Sequence, residues 1–270
     1  LLVCSDLALA ERAHVALVRE AERDAGFRAR CLQAARRGLA ARRRFLNAGH
    51  YQPIAAAVSR AALADLAPGA TASCLDAGCG EGYYLRQLAA ATSDLKTLAL
   101  LGLDISKWAI LSAAKQDQRP NWVVGSNANL PVLPGTLDRV LCMFGFPVYA
   151  EFARVLKPDG QLLQVDAGPE HLRELREIIY PTLKPERTAD VQAPEGFTHL
   201  STETVRYPLN LTGPEQIADP LAMTPHLYRA SAEGRAKAAA LTALSVTVEV
   251  RLTRFLARGH SHADSGTVQL

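Results

Sequence analysis

The stretch that most constrains this chain is Leu75-Asp76-Ala77-Gly78-Cys79-Gly80-Glu81-Gly82-Tyr83-Tyr84. It follows the short apolar segment Ala72-Ser73-Cys74 and opens a helical pattern at Leu85, Leu88 and Ala89. Three glycines at alternate positions strip the Cβ atoms from a strand-to-helix turn, so that backbone N–H groups can come close to a ligand. Asp76, at the strand end, can accept from a cationic amine or from hydroxyls. A dinucleotide fingerprint would need G-x-G-x-x-G. Counting from Gly78, the third glycine would fall at Tyr83, so that reading fails.

The periods that follow alternate between strand and helix. Thr97 to Leu103 is a nearly continuous apolar run closed by Asp104, the pattern of a strand buried on both faces of a parallel sheet. A helix from Ser106, a strand at Asn121 to Gly125, another at Leu137 to Phe144, a helix ending at Leu156 and a strand at Gln161 to Asp166 continue the series. The expected fold is α/β: a Rossmann-like, mostly parallel doubly wound sheet. Its ligand cleft lies outside the carboxyl ends of the strands, among loops 76–84, 104–107, 125–130, 144–149 and 166–171. In the last third, Val205 to Leu211 and Leu244 to Phe255 suit an antiparallel pair closing one edge, with helices at Pro214 to Leu221 and Ala230 to Leu241.

Residues 1–46 read as helical and basic, 47–257 as the catalytic domain, and 258–270 as a flexible tail. The first 50 residues carry ten arginines against five acids, while residues 51–270 are net acidic by two. Between Arg28 and Arg44 there are seven arginines and no acid. Such a cluster can bind a phosphate backbone or simply face water. No apolar run is long enough to span a bilayer. The opening Leu1-Leu2-Val3, interrupted by Asp6, is too short for a secretory core, so the expected compartment is cytoplasmic. Five irregularly spaced cysteines fit reduced thiols. Cys74 and Cys79 read as packing residues, and His260 and His262 as solvated.

The D-x-G-x-G-x-G spacing, with a second carboxylate at Asp104, is the pattern of S-adenosylmethionine (SAM) methyltransferases. Longer stretches resemble one family within that group. Ala41-Arg42-Arg43-Arg44-Phe45-Leu46-Asn47-Ala48-Gly49-His50-Tyr51-Gln52-Pro53 and Gly168-Pro169-Glu170-His171-Leu172-Arg173-Glu174-Leu175 resemble the bacterial 23S ribosomal RNA (guanine-N1)-methyltransferases, as do Leu103 to Lys107, Ala153 to Pro158 and Met223-Thr224-Pro225. The resemblance covers residues 41–257. It implies methylation of guanine N1 in a hairpin of 23S ribosomal RNA, with SAM as cofactor and commonly a homodimer.

Asp76, Gly78 and Gly80 are expected at the methionine end of SAM and Asp104 at the ribose hydroxyls. Ser126 and Asn127 are candidates for the adenine edge, or an ordinary turn. By resemblance, Tyr51, Tyr84, Leu85 and His171 also line the cofactor. Asp166 is a candidate general base. Phe146, in Phe144-Gly145-Phe146-Pro147, either cradles the target base or packs in the core. Family members carry an N-terminal zinc module of three cysteines and a histidine. Residues 1–40 here offer only Cys4, Cys31 and His14, with no C-x-x-C pair, so no metal is expected. That departure keeps two alternatives open: a methyltransferase acting on another RNA or a small molecule, and an RNA-binding member that has lost catalysis.

Overall fold

The computed structural model describes residues 7–66, 71–92, 97–183, 192–224, 226 and 230–259. Cys4, the turn at Pro68-Gly69, Pro225, and His260 and His262 with the rest of the tail beyond Gly259 lie outside them. In chain order the elements are α1 (Leu7–Arg23), α2 (Ala25–Asn47), α3 (Gln52–Leu63), β1 (Thr71–Ala77), α4 (Tyr83–Ala91), β2 (Thr97–Asp104), α5 (Lys107–Gln116), β3 (Asn121–Val124), β4 (Leu137–Met143), α6 (Tyr149–Val155), β5 (Leu156–Ala167), α7 (Arg173–Ile179), β6 (Phe197–Thr212), α8 (Pro214–Ala222), α9 (Ala232–Ala239) and β7 (Ala243–Ala257).

The strands form one seven-stranded sheet in the order β3-β2-β1-β4-β5-β7-β6. Strands β1 to β5 pair in parallel, and β7 runs antiparallel to β5. This is the expected Rossmann-like fold with an antiparallel edge. The order reverses between β1 and β4, so the loops after those two strands flank the switch point, where such sheets bind ligands.

By internal contacts the chain divides into two compact units. One comprises residues 52–171, 187–206 and 249–270; the other comprises 1–51, 172–186 and 207–248. The expected segments 1–46, 47–257 and 258–270 were contiguous along the chain, whereas each of these units is assembled from separated pieces. In the sheet-containing unit, Leu75, Leu103, Val140, Phe152, Leu162, Phe197 and Phe255 form a dry core. Arg139, buried on β4, donates to the carbonyls of Ala62 (3.1 Å) and Ala64 (2.8 Å), satisfying the open end of α3. In the other unit α2 packs on α8, where Arg44 donates to the buried carboxylate of Asp219 (2.5 and 3.2 Å). There α9 closes on α7 at Gly234, where a Cβ would lie 2.4 Å from the Ile179 carbonyl.

Three elements differ from the expected ones. The N-terminal helix is broken at Asp24, whose carboxylate accepts from the N–H groups of Gly26 (2.7 Å) and Phe27 (3.0 Å) and so starts α2 afresh. Strand β5 begins at Leu156, not Gln161. Its register against β4 shifts between Leu137 and Arg139, and the extra chain is absorbed by Asp159 at φ +63° and by Gly160, where a Cβ would lie 2.9 Å from the Lys157 carbonyl. Strand β6 begins at Phe197 rather than Val205, because residues 198–204 are exposed and carry no buried alternation to read.

Candidate functional site

All the candidate residues except Tyr51 belong to the sheet-containing unit. The turn after β1 is built by its own hydrogen bonds. Gly78 N–H and Cys79 N–H both donate to the Leu103 carbonyl (2.8 and 2.9 Å), Gly80 N–H to Asp104 Oδ2 (2.8 Å), and Gly82 N–H to the Cys79 carbonyl (3.0 Å). The expectation that these N–H groups reach a ligand is therefore corrected at all four positions: strand β2 and its terminal aspartate consume three of them, and the Cys79 carbonyl consumes that of Gly82. A turn with its donors used up is a poor seat for a pyrophosphate, and beside it, at the end of β1, the carboxylate of Asp76 is fully buried.

The glycines serve different ends. Gly78 (φ +89°) and Gly80 (φ +58°) hold left-handed backbone. A Cβ on Gly78 would meet nothing nearer than Asn127 Nδ2, at 4.0 Å, so protein packing does not demand glycine there and the space above it is open. Gly82 is different. A Cβ there would lie 2.1 Å from the Trp122 ring, and one on Gly102 of β2 would lie 2.4 Å from the same ring. The indole occupies the room both glycines leave, held by its Nε1–H to the Asp117 carbonyl (2.7 Å). The sequence reading missed Trp122; the signal was a glycine inside an apolar strand.

Asp104 closes β2. Its Oδ1 accepts from Ser106 N–H and its Oδ2 from Gly80 N–H, both at 2.8 Å, leaving one lone pair on each oxygen for a hydroxyl donor. After β3, Ser126 and Asn129 form an isolated bridge, and Ser126 Oγ accepts from Ala128 N–H (3.2 Å), so Ser126 belongs to a turn. Asn127 sits at its tip, and its Oδ1 is buried with no hydrogen-bond partner. A buried acceptor of this kind requires a donor. Tyr84 and Leu85, in the first turn of α4, are buried, with Tyr83 edge-on to Tyr84 at 5.1 Å.

Beyond β4 the chain turns through Phe144, whose φ is +54°, and exposes Phe146 (68%). Phe146 is not a core residue. Asp166, at the end of β5, accepts from Gln164 Nε2–H (2.7 Å), and Gln164 Oε1 in turn accepts from Tyr149 O–H (3.0 Å). Partial desolvation raises the Asp166 pKa above the ordinary carboxylate value, opposed by the Gln164 hydrogen bond and by Arg251 on β7. The Cys142 thiol is pushed up to about 12, first by burial and then by the charges of Asp166 and Asp76. Strands β1, β4 and β5 thus bring both carboxylates to bear on one thiol.

His171 is buried. Its Nδ1 accepts from Glu249 N–H (3.3 Å), which leaves the ring proton on Nε2, and Phe144 lies 6.0 Å away, ring to ring. Glu249, buried in β7 and paired with Arg206 (3.3 Å), fills the space beside Gly168, where a Cβ would come 2.5 Å from its Oε1. An acid between Val248 and Val250 was the signal that the sequence reading passed over. Tyr51 belongs to the other unit, buried with its ring edge-on to Phe45 at 4.9 Å, and burial raises its pKa. Cys74, Cys79 and Cys142 are buried free thiols and Cys31 an exposed one. Among the described residues no three His, Cys, Asp or Glu side chains are grouped to hold a metal, and no helix is long and apolar enough to cross a membrane.

Comparison with known proteins agrees with this geometry. Residues 74–160 match the family described as "Methyltransferase domain". A Micromonospora griseorubida protein, provisionally named a 23S rRNA (guanine-N1)-methyltransferase, is 33% identical over 236 residues, covering 80% of this chain and 78% of that protein. The chain belongs to the 23S rRNA (guanine-N1)-methyltransferase family. A Bacillus subtilis (strain 168) relative with the same provisional name is 35% identical over 181 residues, 65% of this chain but only 64% of the relative's length. A solved structure from Anaeromyxobacter dehalogenans, provisionally a type II methyltransferase, shares the fold with a TM-score of 0.50 at 18% identity, over 75% of this chain and 95% of that one. The chain carries a SAM-dependent methyltransferase domain. The open space over Gly78, the acceptor set of Asp76 and Asp104 and the unpartnered Asn127 Oδ1 fit that cofactor.

Proposed function

We propose that this protein methylates N1 of a guanine in 23S ribosomal RNA. The observation that carries the reading is the identity to the Micromonospora relative across 236 residues, which extends well beyond the 74–160 domain match. In this reading Asp76, Gly78, Gly80, Tyr84, Leu85, Asp104, Asn127 and His171 line the SAM site. SAM supplies a methyl group on a positively charged sulfur, and S-adenosylhomocysteine leaves when the methyl carbon–sulfur bond breaks. Asp104 receives the ribose hydroxyls, and Asn127 Oδ1 the adenine amine. Phe146, exposed beside the ends of β4 and β5, offers its face to the splayed guanine in place of lost base stacking, worth ~1–3 kcal/mol. Asp166 accepts the N1 proton as the N1 electron pair forms the new bond to carbon. Its raised pKa makes it a better base than an ordinary carboxylate.

The test is primer extension on 23S rRNA incubated with the protein and SAM. A methyl on N1 blocks the Watson–Crick edge, so a new SAM-dependent stop at one guanine supports the reading. A second reading is that another RNA or a small molecule is methylated. Tight SAM binding with no stop anywhere in 23S rRNA supports that alternative.

A further inference from the structure

Asp166 stands exposed near the end of β5, where an aspartate can turn about both of its side-chain bonds. A proton acceptor acts well only when its lone pair is held in one direction. Gln164 lies two residues earlier, so the pleat puts both side chains on one face of the strand. Its Nε2–H donates to Asp166 Oδ2 at 2.7 Å, and its Oε1 accepts from Tyr149 O–H at 3.0 Å. Among the described residues Asp166 Oδ1 accepts no hydrogen bond. Tyr149 begins α6 and packs its half-buried ring against the core, edge-on to the buried Phe197 at 6.3 Å, so its hydroxyl is held in place. Desolvation raises the Tyr149 pKa, so the hydroxyl keeps its proton at neutral pH and donates. The amide orientation follows: turned over, Gln164 would set Oε1 against a carboxylate oxygen with no proton between them.

From this chain of contacts we infer that Tyr149 and Gln164 are positioning residues: Tyr149 orients the Gln164 amide, the amide holds Asp166 by Oδ2, and Oδ1 is the oxygen presented to the guanine N1 proton. This deepens the assignment of Asp166 as base and rests on it. As the N1 electron pair forms the bond to the methyl carbon and the carbon–sulfur bond breaks, the N1 proton passes to Oδ1. Oδ2 keeps its hydrogen bond throughout, since the carboxyl group accepts there whether or not Oδ1 is protonated. The amide also favours the ionised form, against the desolvation that opposes it. The other groups that bear on Asp166 are Arg251, its cross-strand neighbour on β7, Tyr149, and the Cys142 thiol of β4, which burial keeps protonated and on which Asp76 of β1 also bears. All but Tyr149 remain in every variant below.

The test reads Asp166 directly by NMR. In the full chain, isotopically labelled at the aspartate carboxyl carbons, the resonance lost in Asp166→Asn identifies Asp166, and its shift is followed against pH. Gln164→Met keeps the side-chain length and removes the donor. It should raise the Asp166 pKa by about one unit, a tenfold gain in proton affinity. Tyr149→Phe, which frees the amide, should raise it by less, and adding Tyr149→Phe to Gln164→Met should move it no further. The acid limb of the methylation rate should move up in pH with the measured pKa. In both single variants kcat should fall, while KM for the RNA and SAM affinity stay unchanged. An Asp166 pKa left unmoved by Gln164→Met would overturn the inference, with or without a lowered melting temperature. So would shifts from the two substitutions that simply add, because the hydroxyl would then act without the amide. A pKa that shifts as expected while the rate profile stays where it was supports the hold on Asp166 and refutes only its role as the base.

Discussion

Gly102→Ala tests why β2 needs a glycine beside the turn that follows β1. The new Cβ would lie 2.4 Å from two carbons of the Trp122 ring, inside any tolerable contact, and 3.1 Å from Cys79 Sγ, which a shift of a few tenths of an ångström relieves. The indole cannot swing away freely, because its Nε1–H is bonded to the Asp117 carbonyl at 2.7 Å. Overpacking of this kind costs about 1–3 kcal/mol, and losing the indole hydrogen bond adds about 0.5–1.5 kcal/mol, so a destabilisation of ~2–4 kcal/mol is expected. The decisive assay is a double-mutant cycle by urea denaturation. In a Trp122→Ala background the clash disappears, Gly102→Ala should cost less than about 0.5 kcal/mol, and the coupling should exceed ~1.5 kcal/mol. Gly82→Ala should be rescued only in part by the same background, since its φ of +73° stays strained for any side chain. Equal costs for Gly102→Ala in both backgrounds would refute the argument that Trp122 dictates this glycine.

Two further outcomes follow from the carboxylates. Asp104→Ala removes the acceptor that pins Gly80 and Ser106 as well as the proposed ribose contact, and calorimetry should show SAM affinity falling by roughly 100-fold, about 2.8 kcal/mol; unchanged affinity contradicts the assignment. Asp166 has a folded-state pKa raised above its unfolded value, so its ionised form costs stability once the pH exceeds the folded pKa. Asp166→Asn should therefore raise the melting temperature at neutral pH, with the gain vanishing below the unfolded pKa, and should abolish the rise of methylation rate with pH. A melting temperature lowered equally at every pH would show a merely structural role.

The central layers of the fold were legible because buried parallel strands write themselves as apolar runs: Leu98 to Leu103 could be little else, and Asp76 and Asp104 close their strands in the expected places. The edge was harder. Residues 198–204 of β6 face solvent and show no alternation, so half of that strand left no mark. The turn after β1 was legible in its glycines and not in its wiring. Nothing in D-x-G-x-G-x-G says that the turn's N–H groups go to Leu103 and Asp104, since those partners lie one strand away. Nor does it say that Gly82 yields its space to an indole some forty residues on. Glu249 escaped for the same reason: its partner His171 is set by the pairing of β5 with β7, not by spacing along the chain, whereas Gln164 stands two residues from Asp166 on one face of β5, a spacing the sequence did carry. Tyr51 and the segment 207–248 fall into one compact unit that no contiguous reading of the chain would draw.

The measurement that tests the account most directly is nucleoside mass spectrometry of 23S rRNA after incubation with this protein and SAM carrying a deuterated methyl group. The account predicts that the label appears in 1-methylguanosine, in an amount approaching one per rRNA molecule, and that Asp104→Ala suppresses it. Label on another position of guanine, on another base, or nowhere in the RNA while SAM remains bound would contradict it.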